Sequence, residues 1–425
     1  MIKANNPSLK SWIPVPANSD FPIQNIPFGI VKPKGKAPRP ATRVGDTVID
    51  LSILSDNGFF DELEIDNYGV FYAPVLNDFI ALGKPITNAV RQRLSDLFNT
   101  DNQELQTNKE VRKLALLSVD DVEMMMPVEV GDYTDFYSSI EHATNIGTMI
   151  RDPENALAPN WKHLPVGYHG RASSIVVSGT NIHRPKGQMK PAAANEPVFG
   201  PSRLFDFELE MAFITGKQTD LGESVSTENA EEYIFGLALF NDLSARDIQT
   251  WEYAPLGPFL GKNFGSVVSP WIVTIEALER FRVAGPVQKP KVLPYLQYNG
   301  KRNFDIQLEV LIQPEGGEET SVCNSNYKYL YWNIDQHLAH QTVNGCNINV
   351  GDMYASGTIS GPTPDSYGSM MELSWRGTKP IQLNDGSERK FMNDNDTIIM
   401  RGHSEKEGVR IGFGEVVTKV LPATE

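Results

Sequence analysis

The stretch Leu204-Phe205-Asp206-Phe207-Glu208-Leu209-Glu210-Met211-Ala212-Phe213 sets the strongest limit on how this chain folds. Its residues alternate without a break, with Phe205, Phe207, Leu209, Met211 and Phe213 on one face and Asp206, Glu208 and Glu210 on the other. That is the period of a β-strand and not of a helix. The apolar row demands a sheet packed on a core. The acidic row puts three carboxylates on one surface, with the backbones of Glu208 and Glu210 roughly 7 Å apart at about 3.4 Å per residue. Glutamates at that separation can converge on one cation. The bland alternative is a strand whose polar face meets water, the commoner fate of a lone Glu-x-Glu.

More acids are needed to favour the first reading, and the chain supplies them. Gly236-Leu237-Ala238-Leu239-Phe240-Asn241 is an apolar strand that ends in Asp242, and strand ends are where sites collect. Ser244 reads as an N-cap, which places Arg246, Gln249 and Tyr253 along one face of a short helix. Lys262 follows between Gly261 and Gly265. The spacing from Gly257 to Lys262 is one residue short of a P-loop and lacks the following Ser or Thr, so a phosphate cradle is not the reading. Upstream, residues 131–143 add Asp135, Tyr137 and His142. Singly, these are a turn acid, an aromatic and a satisfied histidine.

Other chemistries are excluded by pattern. Ser360 sits one place too late for a nucleophile elbow around Gly357 and Gly361, and no His-Glu-x-x-His occurs. Two cysteines, Cys323 and Cys346, cannot build a disulfide framework or a thiolate zinc site, and read as buried free thiols. A formal net charge of -15 argues against partners held through phosphates or an anionic membrane. No apolar run is long enough to span a bilayer and no leader-like apolar stretch opens the chain, so a soluble, cytoplasmic protein is expected. A metal-assisted hydrolase or lyase with oxygen ligands is the enzyme class these residues jointly favour.

The first 120 residues carry 13 basic and 14 acidic side chains, so the acidity belongs to the remainder. Residues 28–31 and 44–51 read as strands of a hairpin in a small β-barrel, joined by a Lys/Pro/Gly stretch over 32–40 that is a solvated loop and not an anion patch. A helix is expected near 89–97 and a domain boundary near 120–130. Residues 326–343 carry Tyr327, Leu330, Tyr331, Ile334 and Leu338 at helical spacing, with Ser325 to cap the start and Gly345 to end it. The sum is a mostly β chain with a few helices.

Five segments together are recognisable: Gly131 to Tyr137, Leu164 to Arg171, Glu208-Leu209-Glu210, Asn241 to Gln249 and Gly357 to Gly361. In register to Arg410-Ile411-Gly412-Phe413-Gly414, they strongly resemble the fumarylacetoacetase family, with a looser match over the first third. The resemblance implies an N-terminal SH3-like barrel over 1–125, a C-terminal catalytic β-roll over 126–425, and a homodimer. It implies hydrolysis of the dianionic β-diketone 4-fumarylacetoacetate, with no nucleic-acid or membrane partner. By the same resemblance Asp135, Glu208, Glu210 and Asp242 are Ca²⁺ ligands, His142 is the general base and Glu372 its partner. Arg246, Gln249 and Lys262 stabilise the oxyanion, and Tyr137, Arg151, Tyr168, Gln249, Tyr253 and Thr358 contact substrate. A second, Mg²⁺-type site falls on Asp242, Lys262 and Ser266, where the family has threonine at the last position. Shorter acylpyruvate hydrolases, decarboxylases and isomerases share the Glu-x-Glu and Asp ligands, while a non-catalytic cation-stabilised β-protein would need neither His142, Glu372 nor Lys262.

Overall fold

The computed structural model describes residues 2–151 and 153–425. It is mostly β with a few helices. Thirteen strands among the described residues join into one sheet, whose main path runs Leu116–Ser118, Thr47–Asp50, Arg39–Val44, Phe28–Pro33, Trp271–Thr274, Ile234–Asp242, Leu209–Thr215, Met353–Ala355, Tyr133–Phe136 and Gly167–His169. The N-terminal strands therefore continue into the rest of the molecule, through Phe28 opposite Ile272 and Gly29 opposite Trp271. Phe28–Pro33 pairs with both Arg39–Val44 and Val122–Met125, and no hydrogen-bonded closure of these N-terminal strands into a ring is present among the described residues.

A five-stranded sheet, Thr320–Asn326, Gln307–Gln313, Thr397–Lys406, Val409–Leu421 and Ile182–His183, packs against this one. The strands Leu209–Thr215 and Ile234–Asp242 are buried throughout because each face meets a different core. Leu209, Met211 and Phe213 join Leu237, Leu239 and the five-stranded sheet, while Ala212, Ile214, Ala238 and Phe240 join the N-terminal strands and helices. The alternation predicts the first face correctly. The second face departs from the water-exposed alternative, for it turns apolar after Glu210.

Other expectations need correction. Residues 44–51 are not one strand: Arg39–Val44 is the hairpin partner of Phe28–Pro33, and a turn at Gly45-Asp46 leads into Thr47–Asp50. The loop shrinks accordingly to residues 34–38. The helix at 89–97 exists and is longer, Lys84–Phe98. The helix expected over 326–343 starts late, as Ile334–Thr342, because Asn333 and Gln336 form a reciprocal capping box there. Tyr327–Tyr329 is a 3₁₀ turn, and Ser325 lies in the strand Thr320–Asn326 with its hydroxyl on Ile359 O at 2.8 Å. Cys323 is buried as expected, whereas Cys346 is partly exposed.

Candidate active site

Strand register assembles the acidic group. Leu209 lies opposite Asn241, which brings the end of Ile234–Asp242 beside Glu208, and Asp242 N donates to Glu208 O at 3.3 Å. On the other side Ala212 pairs with Ala355, and Ala355 with Asp135. Asp135, Glu208, Glu210 and Asp242 thereby offer one oxygen each within 4.8 Å of one another, and none is more than 4% exposed. Gly357 closes the floor. Its N–H donates to Glu210 Oε2 at 2.9 Å with φ at +75°, and an added Cβ would stand 2.2 Å from Phe136 O, so only glycine fits.

Two cations partly balance these acids. Lys262 Nζ donates to Glu208 and, at 2.8 Å, to Asp242 Oδ2. Arg246 reaches Glu208 Oε1 and Asp206 Oδ2, each at 2.7 Å. Burial works against both cations, but Asp242 and Glu208 hold the Lys262 ammonium above its ordinary range, as Glu208 and Asp206 do the guanidinium. Burial also pushes the Glu208 carboxyl up, and Lys262 with Arg246 outweighs it, leaving Glu208 low and ionised. Glu210 and Asp135 lack such partners: burial first, then neighbouring carboxylates, raises both well above the carboxylate range. Asp135 Oδ1 and Glu210 Oε1 are buried with no hydrogen-bond donor. Orphaned, oxygen-only ligands beside surplus negative charge fit a hard divalent cation.

Opposite this nest stands His142. Ser139 caps the helix Ile140–Ile150 by accepting from His142 N at 3.1 Å, which fixes His142 in its first turn. His142 Nδ1 lies 2.7 Å from Glu372 Oε2. Glu372 also accepts from Asn145 Nδ2 at 3.0 Å, Ser360 Oγ at 2.9 Å and Ser369 Oγ at 2.8 Å. Burial raises the Glu372 carboxyl, but His142 and these donors outweigh it and hold it below its ordinary range. An ionised Glu372 keeps the proton on Nδ1 and leaves Nε2 as the basic nitrogen. Tyr137 packs edge-on against the imidazole at 5.3 Å between ring centres.

A cavity of about 470 Å³ connects the two halves. Its wall includes Asp135, Glu208, His142, Arg246, Lys262, Tyr137, Tyr168, Gln249, Tyr253 and Thr358, so most side chains singled out from the sequence meet there. Tyr168 donates to Asp242 Oδ2 at 3.0 Å, and Ser266 to Asp242 Oδ1 at 2.6 Å from a smaller adjoining pocket. Gln249 Oε1 accepts from Arg246 at 3.2 Å, and Thr358 Oγ1 is buried without a partner. Arg151 is exposed at the end of its helix, with Nη2 on Ala156 O at 2.7 Å, and its charge acts on the phenol of Tyr137 in the cavity wall.

Ser244 does not cap the Arg246 helix. It lies in a short strand with Ala245, and Ala245 takes the cap position of Arg246–Glu252 without a side-chain bond. Sequence reasoning also missed four supporting groups. Asn145 carried a weak signal, three residues from His142 on one helix face. Ser369 carried one too, standing three residues before Glu372 at the Ser-x-x-Glu spacing of a helix cap, whereas Ser360 carried none. Asp206 was visible only as one more acid, yet it accepts from Met370 N at 2.7 Å and Met371 N at 3.1 Å while holding Arg246.

Two family models match the chain: Fumarylacetoacetate (FAA) hydrolase C-terminal over residues 133–421 and Fumarylacetoacetase N-terminal over residues 24–127. The human protein named fumarylacetoacetase is 51% identical over 415 residues, 97% of this chain and 99% of that one. That of Arabidopsis thaliana is 49% identical over 417 residues, with 98% and 99% covered. Among solved structures, a fumarylacetoacetate hydrolase from psychrophilic Exiguobacterium antarcticum superposes with a TM-score of 0.51 at 17% identity, covering 93% of this chain and 99% of that one, which is a likeness of fold. With relatives aligned end to end at half identity and both family models matched, this chain belongs to the fumarylacetoacetase family.

Proposed function

We propose that the chain is a hydrolase that cleaves the carbon–carbon bond of 4-fumarylacetoacetate to fumarate and acetoacetate, the last step of tyrosine and phenylalanine breakdown. The observation that carries this reading is that His142, paired with Glu372, opens on the same cavity as Asp135 and Glu208, two of the four converging carboxylates. Curated relatives that share half their residues with this chain are named for that activity.

The residues divide the work. His142, oriented by Glu372, takes a proton from water at Nε2, and the hydroxide so formed attacks the carbonyl next to the fumaryl group. Arg246, the amide N–H of Gln249 and Lys262 are the donors for the alkoxide that results, and removing one such donor commonly costs about 3 kcal/mol of barrier. Collapse of the alkoxide breaks the carbon–carbon bond and releases acetoacetate as an enolate that takes up the proton from His142. Tyr137, Arg151, Tyr168, Tyr253 and Thr358 orient the substrate. Asp135, Glu208, Glu210 and Asp242 would hold a hard cation, Ca²⁺ in this reading, which supplies Lewis-acid polarisation of the diketone when bound. A weaker Mg²⁺ site falls to Asp242, Lys262 and Ser266. Since the Lys262 side chain is an ammonium, only its main-chain oxygen is left to ligate. The same reading makes the chain a cytoplasmic homodimer, with residues 1–125 an SH3-like barrel and 126–425 the catalytic β-roll. No helix among the described residues is long and apolar enough to cross a membrane.

The test is direct. Purified protein supplied with Ca²⁺ or Mg²⁺ is mixed with fumarylacetoacetate, the diketone absorbance is followed, and the products are identified. Loss of absorbance with equimolar fumarate and acetoacetate is the expected result, and no turnover with either cation overturns the proposal.

A further inference from the structure

The cavity wall holds three Lys or Arg side chains, Arg246, Lys262 and Arg376. Arg246 is bound to Asp206 and Glu208, and Lys262 to Glu208 and Asp242, so their charge is largely spent on the protein's own acids. Arg376 differs. Among the described residues no carboxylate lies against it, and its one hydrogen bond runs from Nη1 to Met149 O at 3.1 Å. Arg376 is exposed, and the four other N–H groups of its guanidinium make no hydrogen bond among the described residues, which leaves them open to a ligand from the cavity.

The backbone that carries Arg376 is unusual as well. Trp375 and Arg376 are consecutive non-glycine residues in the left-handed region, with φ of +46° and +56°. Residues with a Cβ visit that region sparsely and persist there only when their surroundings impose it. Here Trp375 N donates to Glu372 O at 3.0 Å, Arg376 N to Met371 O at 2.8 Å and Lys379 N to Ser374 O at 2.8 Å. The turn is thus fixed directly onto the short helix that bears Glu372. It sets Arg376 in the wall beside Ile146, Ile150 and Met371, on the His142 side of the cavity.

We infer that Arg376 binds a terminal carboxylate of the substrate. This deepens the function proposed above and rests on it, since that substrate is a dianion with a carboxylate at each end. An arginine fork with no internal acid to satisfy it pairs bidentately with such a group. Arg376 is then a binding and specificity residue, distinct from the groups that act on the reacting carbon.

Kinetics of Arg376→Gln and Arg376→Lys test the assignment, using fumarylacetoacetate and two truncated diketones, each lacking one terminal carboxylate. Uniform binding by a charged pair predicts a rise in KM of about 10- to 100-fold for Arg376→Gln on the full substrate, with kcat changed little. The rise should persist with one truncated diketone and vanish with the other, and Arg376→Lys, which keeps the charge but not the fork, should recover part of it. Unchanged KM on the full substrate overturns the inference. So does a fall in kcat at constant KM, or an equal effect on both truncated substrates, which would make Arg376 a prop for the helix end at Met149. Absence of turnover by the unaltered protein would instead overturn the proposed function.

Discussion

His142 and Glu372 lie 2.7 Å apart but 230 positions apart in sequence, and their pairing gives the site its polarity. The carboxylate is held low by His142 and by its neighbours, so it stays charged and keeps the imidazole in one tautomer. His142→Ala should therefore lower kcat by on the order of 100-fold or more with the fold intact. Glu372→Gln should lower it less, since the ring loses its orientation but not its basic nitrogen. Steady-state rates checked against circular dichroism decide this, and a fully active His142→Ala moves the base elsewhere. A second histidine has the opposite fate. His337 is buried, stacked on Phe136 at 4.2 Å, with Nε2 2.7 Å from Ser138 Oγ. Burial, with His340 adding to it, pushes His337 down to about 3. The unfolded chain takes up that proton near pH 6.5 and the folded chain does not. The stability from a neutral His337 is therefore complete above about pH 6.5 and is lost as pH falls toward 3. Between about pH 6.5 and pH 5 this one proton costs about 2 kcal/mol. His337→Gln should remove that slope, so that urea midpoints of the two proteins converge on acidification; parallel midpoints would mean the ring is protonated in the folded state.

At the scale of elements, the site depends on short pieces that cannot stand alone. The helix bearing Glu372, Met370–Leu373, is four residues long, too short to persist in water without outside support. Asp206 supplies it through two main-chain N–H groups and ties the same carboxylate to Arg246. Asp206→Ala removes both anchors and leaves a buried guanidinium short of a partner, so it should destabilise by about 3–5 kcal/mol. Chemical denaturation measures this, and a loss under about 1 kcal/mol would mean that Ser369 holds the helix unaided. These elements also separate what the sequence reveals from what it conceals. The acids of 206–210 and Asp242 are legible because they interrupt strongly apolar strands, where an unpaired carboxylate needs a reason. The His142 helix is not set by periodicity, and only the family resemblance joins His142 to Glu372. The helix over 326–343 is overcalled because Tyr327, Leu330 and Tyr331 match helical spacing while packing from a 3₁₀ turn and an extended segment. Arg376 leaves no mark at all, for nothing local in Ser374-Trp375-Arg376-Gly377 announces two left-handed residues; contacts to Met371, Glu372 and Lys379 impose them.

For the whole molecule, the acids sit where two cores share their strands, which explains why they are deeply buried and why their charge matters to stability. Among the described residues, the Lys and Arg side chains ion-paired with Asp206, Glu208 and Asp242 are Arg246 and Lys262, while Asp135 and Glu210 have no such pair, within a chain of net charge -15. Without a cation, the raised Asp135 and Glu210 carboxyls hold protons that the unfolded chain releases at lower pH. A group raised in this way favours folding most at low pH, and its contribution fades as pH rises through the folded value. A divalent cation replaces those protons, so binding should release them and tighten with pH. At a free concentration 100 times its Kd, a cation that binds only the folded chain adds about 2.7 kcal/mol. Melting the protein with Ca²⁺ or with a chelator, at about pH 5.5 and about pH 7.5, should give a Ca²⁺-dependent rise in Tm that is larger at the higher pH. Calorimetric titrations in buffers of different ionisation enthalpy should register protons released as Ca²⁺ binds. A rise in Tm of the same size at both pH values, with no proton release, would mean that Asp135 and Glu210 are already ionised in the metal-free fold. No rise at all would remove these four carboxylates from consideration as a cation site.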